Sequence, residues 1–245
     1  MKKWIFLLIL SAAGFFVLIF VSSPYRELRP YNLFGASLPE RLGMEAKTIN
    51  GRKVVLIQPE DEEKPFYIDQ IPVTIDDYRD CTNSGKCEFQ HYRYNYAKFW
   101  TDKKYGKLPV AFVNWAEARN YCIQYGGDLP TSDQWESAAG ADLGIDYPWG
   151  NSLPGLSTAN IDGYYQMLIP AGWLPAGASP YGILDLTGNI REWMLDEVFP
   201  DSDDKMLKGG GNSDSFFDGK IEEYFWHTPN SSGFNRGFRC VYPYN

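Results

Sequence analysis

Apolar and polar positions change their period several times along this chain, and each change predicts an element. Residues 4–21 form an uncharged, mostly apolar run preceded by Lys2 and Lys3. The run is long for a signal-peptide core and long enough to cross the hydrocarbon layer of a bilayer, which predicts an N-terminal transmembrane helix. Val21-Ser22-Ser23 partly fits a cleavage site, but Pro24 would follow the cut and disfavour it. An uncleaved anchor over residues 1–23 is therefore expected. The amino terminus, Lys2 and Lys3 should stay inside and send the rest of the chain across a bacterial cytoplasmic membrane, towards the periplasm or exterior. Residues 24–45 read as a polar, proline-containing connector, and residues 46–245 as one domain.

Inside the domain the periods shorten. Gly51-Arg-Lys-Val-Val-Leu-Ile57 predicts a hairpin strand, and Pro65-Phe-Tyr-Ile-Asp69 a second short one. Thr74 can cap a helix whose third residue, Asp77, suits the positive end of the helix dipole; that helix should stop before Gly85. Asn114 with Glu117 has the form of a capping box, after which Ala118, Tyr121, Cys122 and Tyr125 recur on one helical face until Gly126-Gly127. Thr131 with Gln134 repeats the arrangement for a helix that turns Trp135 and Ala138 inward and ends at Gly140. Beyond Gly140 no long periodic segment remains, so short strands and ordered loops are expected.

Composition narrows the class. With 16% aromatic residues, 23 Gly and 16 Pro, the chain does not suit a helical bundle. A net charge of -8, with acidic clusters at residues 60–63 and 201–204, would repel phosphate backbones, so nucleic acid is not an expected partner. Four cysteines in a chain read as exported imply disulfides. Of the three possible pairings, the short spacer through Gly85 favours Cys81–Cys87, which leaves Cys122 to join Cys240.

The stretches Leu108-Pro-Val-Ala-Phe-Val-Asn-Trp, Gly127-Asp-Leu-Pro-Thr-Ser-Asp-Gln-Trp-Glu136, Tyr181-Gly-Ile-Leu-Asp-Leu-Thr-Gly-Asn-Ile-Arg-Glu-Trp193, Lys208-Gly-Gly-Gly211 and Gly237-Phe-Arg-Cys240 follow in an order that resembles the formylglycine-generating-enzyme (sulfatase-modifying factor) family. The resemblance covers residues 66–242. It implies an α+β, C-type-lectin-like fold, loop-rich, with two main helices and small antiparallel sheets. It also implies the Cys122–Cys240 disulfide. In the family's copper enzymes a Gly-Gly-Ser is followed by two metal-binding cysteines. Here the serine position is Gly211 and the downstream positions fall near Asp214 and Gly219, so neither copper nor formylglycine generation is expected, because soft copper(I) wants sulfur. The family's iron-dependent branch is not expected either, since this chain has only His91 and His227.

A structural calcium is implied at Asp185, Gly188, Ile190 and Glu192, through two carboxylates and two carbonyls. A second family calcium site survives only in pieces, Asn160-Ile161 and Asp162 to Tyr164, with the loop between them shortened. Trp115, Trp135, Trp149 and Trp193 read as core packing rather than a ligand groove. Arg191 stands where family enzymes carry a groove-facing aromatic. With Asp214, Asp218, Phe216, Glu222 and Glu223 it suggests a recognition surface.

These departures point to a noncatalytic, membrane-anchored binding or structural subunit of a larger membrane or envelope complex, its partners the other subunits. Two rival expectations are a periplasmic maturation enzyme of different chemistry, like those that mature a siderophore chromophore, and a lectin-like ligand-binding display domain.

Overall fold

The computed structural model describes residues 45–59, 64–89 and 97–244. The membrane anchor, nearly all of the connector, the acidic run at 60–63 and His91 lie outside the described residues, where no helix is long and apolar enough to cross a membrane. Two four-stranded sheets carry the fold. The first joins β1 (Ala46–Ile49), β2 (Arg52–Ile57), β3 (Phe66–Asp69) and β8 (Val241–Pro243) in the order β1-β2-β3-β8, all antiparallel. The second joins β4 (Arg191–Glu197), β5 (Lys205–Lys208), β6 (Tyr224–His227) and β7 (Arg236–Gly237) in the order β6-β5-β4-β7. Its β4–β7 pairing is parallel, a departure from the expected antiparallel sheets. The two-residue β7 arrives from a long loop rather than a hairpin, so its direction is not set by a tight turn.

Among the described residues four α-helices accompany the sheets: α1 (Ile75–Asn83), α2 (Ala97–Thr101), α3 (Trp115–Gln124) and α4 (Ser132–Ala139). Three start where a side chain can take an orphan backbone donor. Thr74, Asn114 and Thr131 each accept from the backbone N–H three residues on, while Asp77, Glu117 and Gln134 reach back to the cap's own N–H. Each reciprocal cap is worth about 1 kcal/mol. Gly140 ends α4 in the left-handed region at φ 94°, and Gly127, just past α3, lies so close to β8 that a Cβ there would meet the Val241 carbonyl at 2.2 Å. That approach lets Asp128 and Val241 exchange two backbone hydrogen bonds.

The core lies between the first sheet and α4. Val55, Ile57, Phe66 and Ile68 from the sheet pack with Trp135, Ala138 and Ala139 from the helix and with Met194 from β4. A second layer of rings joins α1 to α3: Tyr78 stacks on Tyr121 at 5.5 Å, and Phe238 meets Tyr121 edge-on at 5.3 Å. Both expected disulfides are present, Cys81–Cys87 clasping the end of α1 and Cys122–Cys240 tying α3 to the residue before β8. No free cysteine remains. Trp135 and Trp193 are fully buried as expected.

Candidate functional site

The site is built on the loop at residues 185–190 and the strand that follows it. Asp185 and Asn189 both hold left-handed backbone, at φ 56° and 67°, conformations tolerated best by short polar side chains that can bond locally. Asn189 does so: its Oδ1 accepts from Ile169 N–H and from Asn160 Nδ2, and its Nδ2 donates to the Ile169 carbonyl, each at 3.0 Å. Gly188 approaches Asn160 so closely that a Cβ would meet its carbonyl at 2.4 Å. The loop is thus pinned before it enters β4, which sends Arg191 and Glu192 to opposite faces.

Glu192 points inward. Its Oε2 accepts from Arg239 Nε at 2.7 Å and from Trp135 Nε1 at 2.9 Å, and its Oε1 accepts from Arg239 Nη2 at 2.7 Å. Asp185 is buried, and its Oδ2 accepts the Gly172 N–H at 2.6 Å. Burial pushes the Asp185 carboxyl up to about 6; the Gly172 N–H and Arg239 oppose the rise, and Glu192 adds to it. Of the four expected calcium ligands, Asp185 accepts one hydrogen bond, the Gly188 carbonyl accepts the Ile190 N–H, and Glu192 already carries three hydrogen bonds with one lone pair left on Oε1. At the remnant of the second family site, Asn160 Oδ1 is buried without a hydrogen-bond partner.

Arg191 points the other way. Its Nε and Nη2 donate to the two oxygens of Asp214, both at 2.7 Å, and its guanidinium lies 3.7 Å from the centre of the Phe225 ring. Asp214 Oδ2 also accepts the Gly211 N–H. The left-handed Gly209 and Gly210 lead the chain into this turn, where a Cβ on Gly209 would meet the Leu186 carbonyl at 2.7 Å. Gly211 and Asp214, expected at or near the copper enzymes' serine and first cysteine, are joined by a hydrogen bond, and Asp214 is held in an ion pair with Arg191. With all four cysteines in disulfides, no thiolate is available for soft-metal chemistry.

The residues expected to form a recognition surface differ in burial and in partners. Arg191 is largely buried, at 16% side-chain exposure, and already neutralised. Phe216 packs against Phe217, and its carbonyl accepts the Tyr147 hydroxyl. Glu222 lines a cavity of about 280 Å³ with Glu136, Asp146 and Ile221, and Glu223 is exposed just before β6. The family resemblance drew attention to Arg191 because it is charged in an aromatic position, and it included Arg239 within Gly237-Phe-Arg-Cys240, while Phe225 and Arg236 went unnoticed; none of the three was given a role. Those three carry no periodic signal, and their neighbours come from strands far apart in the chain.

Residues 47–243 match the model of the sulfatase-modifying factor enzyme 1-like domain. Among curated relatives, the inactive C-alpha-formylglycine-generating enzyme 2 of Bos taurus is 35% identical over 152 residues, covering 55% of this chain and 50% of that protein. The formylglycine-generating enzyme of Mus musculus is 34% identical over 168 residues, covering 54% and 44%. The chain thus spans about half the length of the curated relatives it matches. The structure of PvdO from Pseudomonas aeruginosa superposes with a TM-score of 0.62 at 15% identity, covering 80% of this chain and 97% of that one, which shows a shared fold. With the family model matched over most of its length, the chain belongs to the sulfatase-modifying factor enzyme 1-like family.

Proposed function

We propose that this chain is a noncatalytic member of the family that works by binding, as a membrane-anchored, extracytoplasmic subunit of a larger membrane or envelope complex. The observation that carries the noncatalytic part is the Arg191–Asp214 ion pair, because Asp214 stands near one of the two positions where the resemblance expects the copper enzymes' cysteines, and Gly219 near the other. The disulfides agree with it, because they commit all four cysteines to structure. Two curated relatives, from Bos taurus and Mus musculus, also bear the description of an inactive enzyme. Anchorage rests on the apolar run at residues 4–21, and the disulfides are in keeping with an oxidising compartment. A structural calcium at Asp185 and the Gly188 and Ile190 carbonyls, with Glu192 at its edge, would hold the loop that presents Arg191 and supply charge compensation there, not reactivity.

The test has two arms. The purified chain, with and without copper, is offered a sulfatase-type cysteine peptide, and no formylglycine is expected. The chain is also extracted from native membranes in mild detergent, and a partner is expected to accompany it. Oxidation of the peptide, or recovery of the chain alone, would overturn the reading.

A further inference from the structure

Two arginines and two rings meet over one face of the second sheet. Arg191 in β4 is paired in register with Arg236 in β7, and both side chains run across the sheet towards its edge strand β6. Arg191 lies against Phe225, and Arg236 Nη2 lies 2.6 Å from His227 Nε2. Phe225 and His227 are two apart in β6 and so share a face.

The charges on this face are compensated unevenly. Arg191 is matched by Asp214, and Lys205, the register partner of His227, is matched by Glu197 at 2.7 Å. Arg236 forms no ion pair among the described residues. Its Nη1 donates to Ser231 Oγ at 2.6 Å, its Nη2 rests on a neutral ring nitrogen of His227, and its Nε is buried with no partner. A guanidinium in a protein keeps its proton, so this half-buried charge wants an anion. The other arginines show which kind. Arg119, Arg191 and Arg239 each offer Nε and Nη2 as a fork to the two oxygens of a carboxylate. In Arg236 that same fork holds one imidazole nitrogen and nothing else.

We propose that Arg236, with His227 beside it, is a seat for a carboxylate that this protein binds from outside, carried either by a small organic acid or by an aspartate or glutamate side chain of a protein partner. The planar fork matches a carboxylate in two parallel hydrogen bonds. A carboxylate seated on this fork would supply the partner that the buried Nε lacks, and His227, once released from accepting the arginine N–H, could take up a proton and donate to the anion. The groups facing His227 are Arg236 from β7, Arg191 from β4, Lys205 from β5 and Asp204 just before it. Those surroundings disfavour the protonated ring, and a bound carboxylate would favour it. This inference rests on the binding role proposed above and names the chemistry that the binding surface recognises.

The full chain has two histidines, so in detergent micelles the imidazole resonances of His227 can be assigned by comparison with His227→Gln. The probes are acetate, an end-capped Gly-Asp-Gly peptide, its Gly-Asn-Gly counterpart and inorganic phosphate. Acetate and the aspartate peptide should shift the His227 signal saturably and raise the pH at which it titrates, while the asparagine peptide should not. Tighter binding of the peptide assigns the seat to a protein side chain, and equal or tighter binding of acetate to a small acid. Arg236→Gln should weaken the response by about tenfold or more. If that variant does not fold, Arg236→Lys keeps the charge without the fork and should also bind measurably more weakly. No saturable response in the wild type, unchanged binding in a folded Arg236 variant, or phosphate bound more tightly than either carboxylate would overturn the assignment. A partner recovered from membranes without any carboxylate response would sink this inference alone; a carboxylate response in a chain recovered without a partner would sink the subunit role and leave the seat standing.

Discussion

Arg239 and Glu192 face each other in a fully buried two-bond ion pair, Nε to Oε2 and Nη2 to Oε1, each at 2.7 Å. Removing both charges from water is costly, and the surroundings offset that cost by satisfying the remaining groups. Arg239 also donates to the carbonyls of Asp69 in β3 and Leu184, and Trp135 of α4 donates to Glu192. One guanidinium therefore links the first sheet, the 184–190 loop, α4 and the second sheet.

Removing one partner of this pair should be severe. Arg239→Ala leaves a bare carboxylate in the interior and is expected to cost about 3–5 kcal/mol. Glu192→Gln keeps the shape and removes the charge, so it should cost less than Arg239→Ala while still lowering the denaturant midpoint. Urea unfolding followed by tryptophan fluorescence measures both, and wild-type midpoints would contradict the central role of the pair.

The Arg191–Asp214 fork should behave as structure as well as surface. Because both side chains are mostly buried, Arg191→Glu places two carboxylates against each other and should destabilise the domain, whereas an exposed charge would change stability by about 0.5 kcal/mol or less. Asp214→Asn, which weakens the charged hydrogen bonds without removing the side chain, is expected to cost roughly 1.5–3 kcal/mol. Thermal melts of the two variants decide it, and an Arg191→Glu melt within a degree of wild type would show the pair to be dispensable.

Calcium should stabilise the domain through Asp185. Saturating calcium is expected to raise the melting temperature by roughly 5 °C or more relative to chelator. Asp185→Ala should abolish that response, with scanning calorimetry as the readout. An identical melt in calcium and chelator would leave Asp185 as a loop brace that accepts the Gly172 N–H.

His227 sets a pH dependence whose sign follows from its surroundings. Burial, then the guanidiniums of Arg236 and Arg191, hold its imidazole below the ordinary histidine value. The unfolded chain therefore binds this proton more readily than the folded one, and its contribution to stability is present above about pH 6.5 and lost as the pH falls below it. Melting temperatures recorded in carboxylate-free buffers should drop between pH 7.5 and 5.5 more steeply for wild type than for His227→Gln. Parallel slopes would show that other groups dominate.

Local pattern already determined much of this protein. The three capping boxes, the stop at Gly140 and the strands on either side of residue 60 are set by neighbours a few positions apart, so Thr74, Asn114 and Thr131 announce them in the sequence itself. The order of the motifs placed the family, and the Cys81 to Cys87 spacing favoured the first disulfide while the resemblance implied Cys122–Cys240, both of which are present. What the linear chain could not hold is the pairing of charges brought together from distant strands. Arg239 and Glu192 are 47 residues apart, Arg191 and Asp214 are 23 apart, and neither pair has a period to betray it. Only the packed sheets decided that Arg191 would be neutralised by Asp214 while Arg236 would lack a carboxylate among the described residues, because the balance of charge on a face depends on which strands lie side by side and not on their order in sequence.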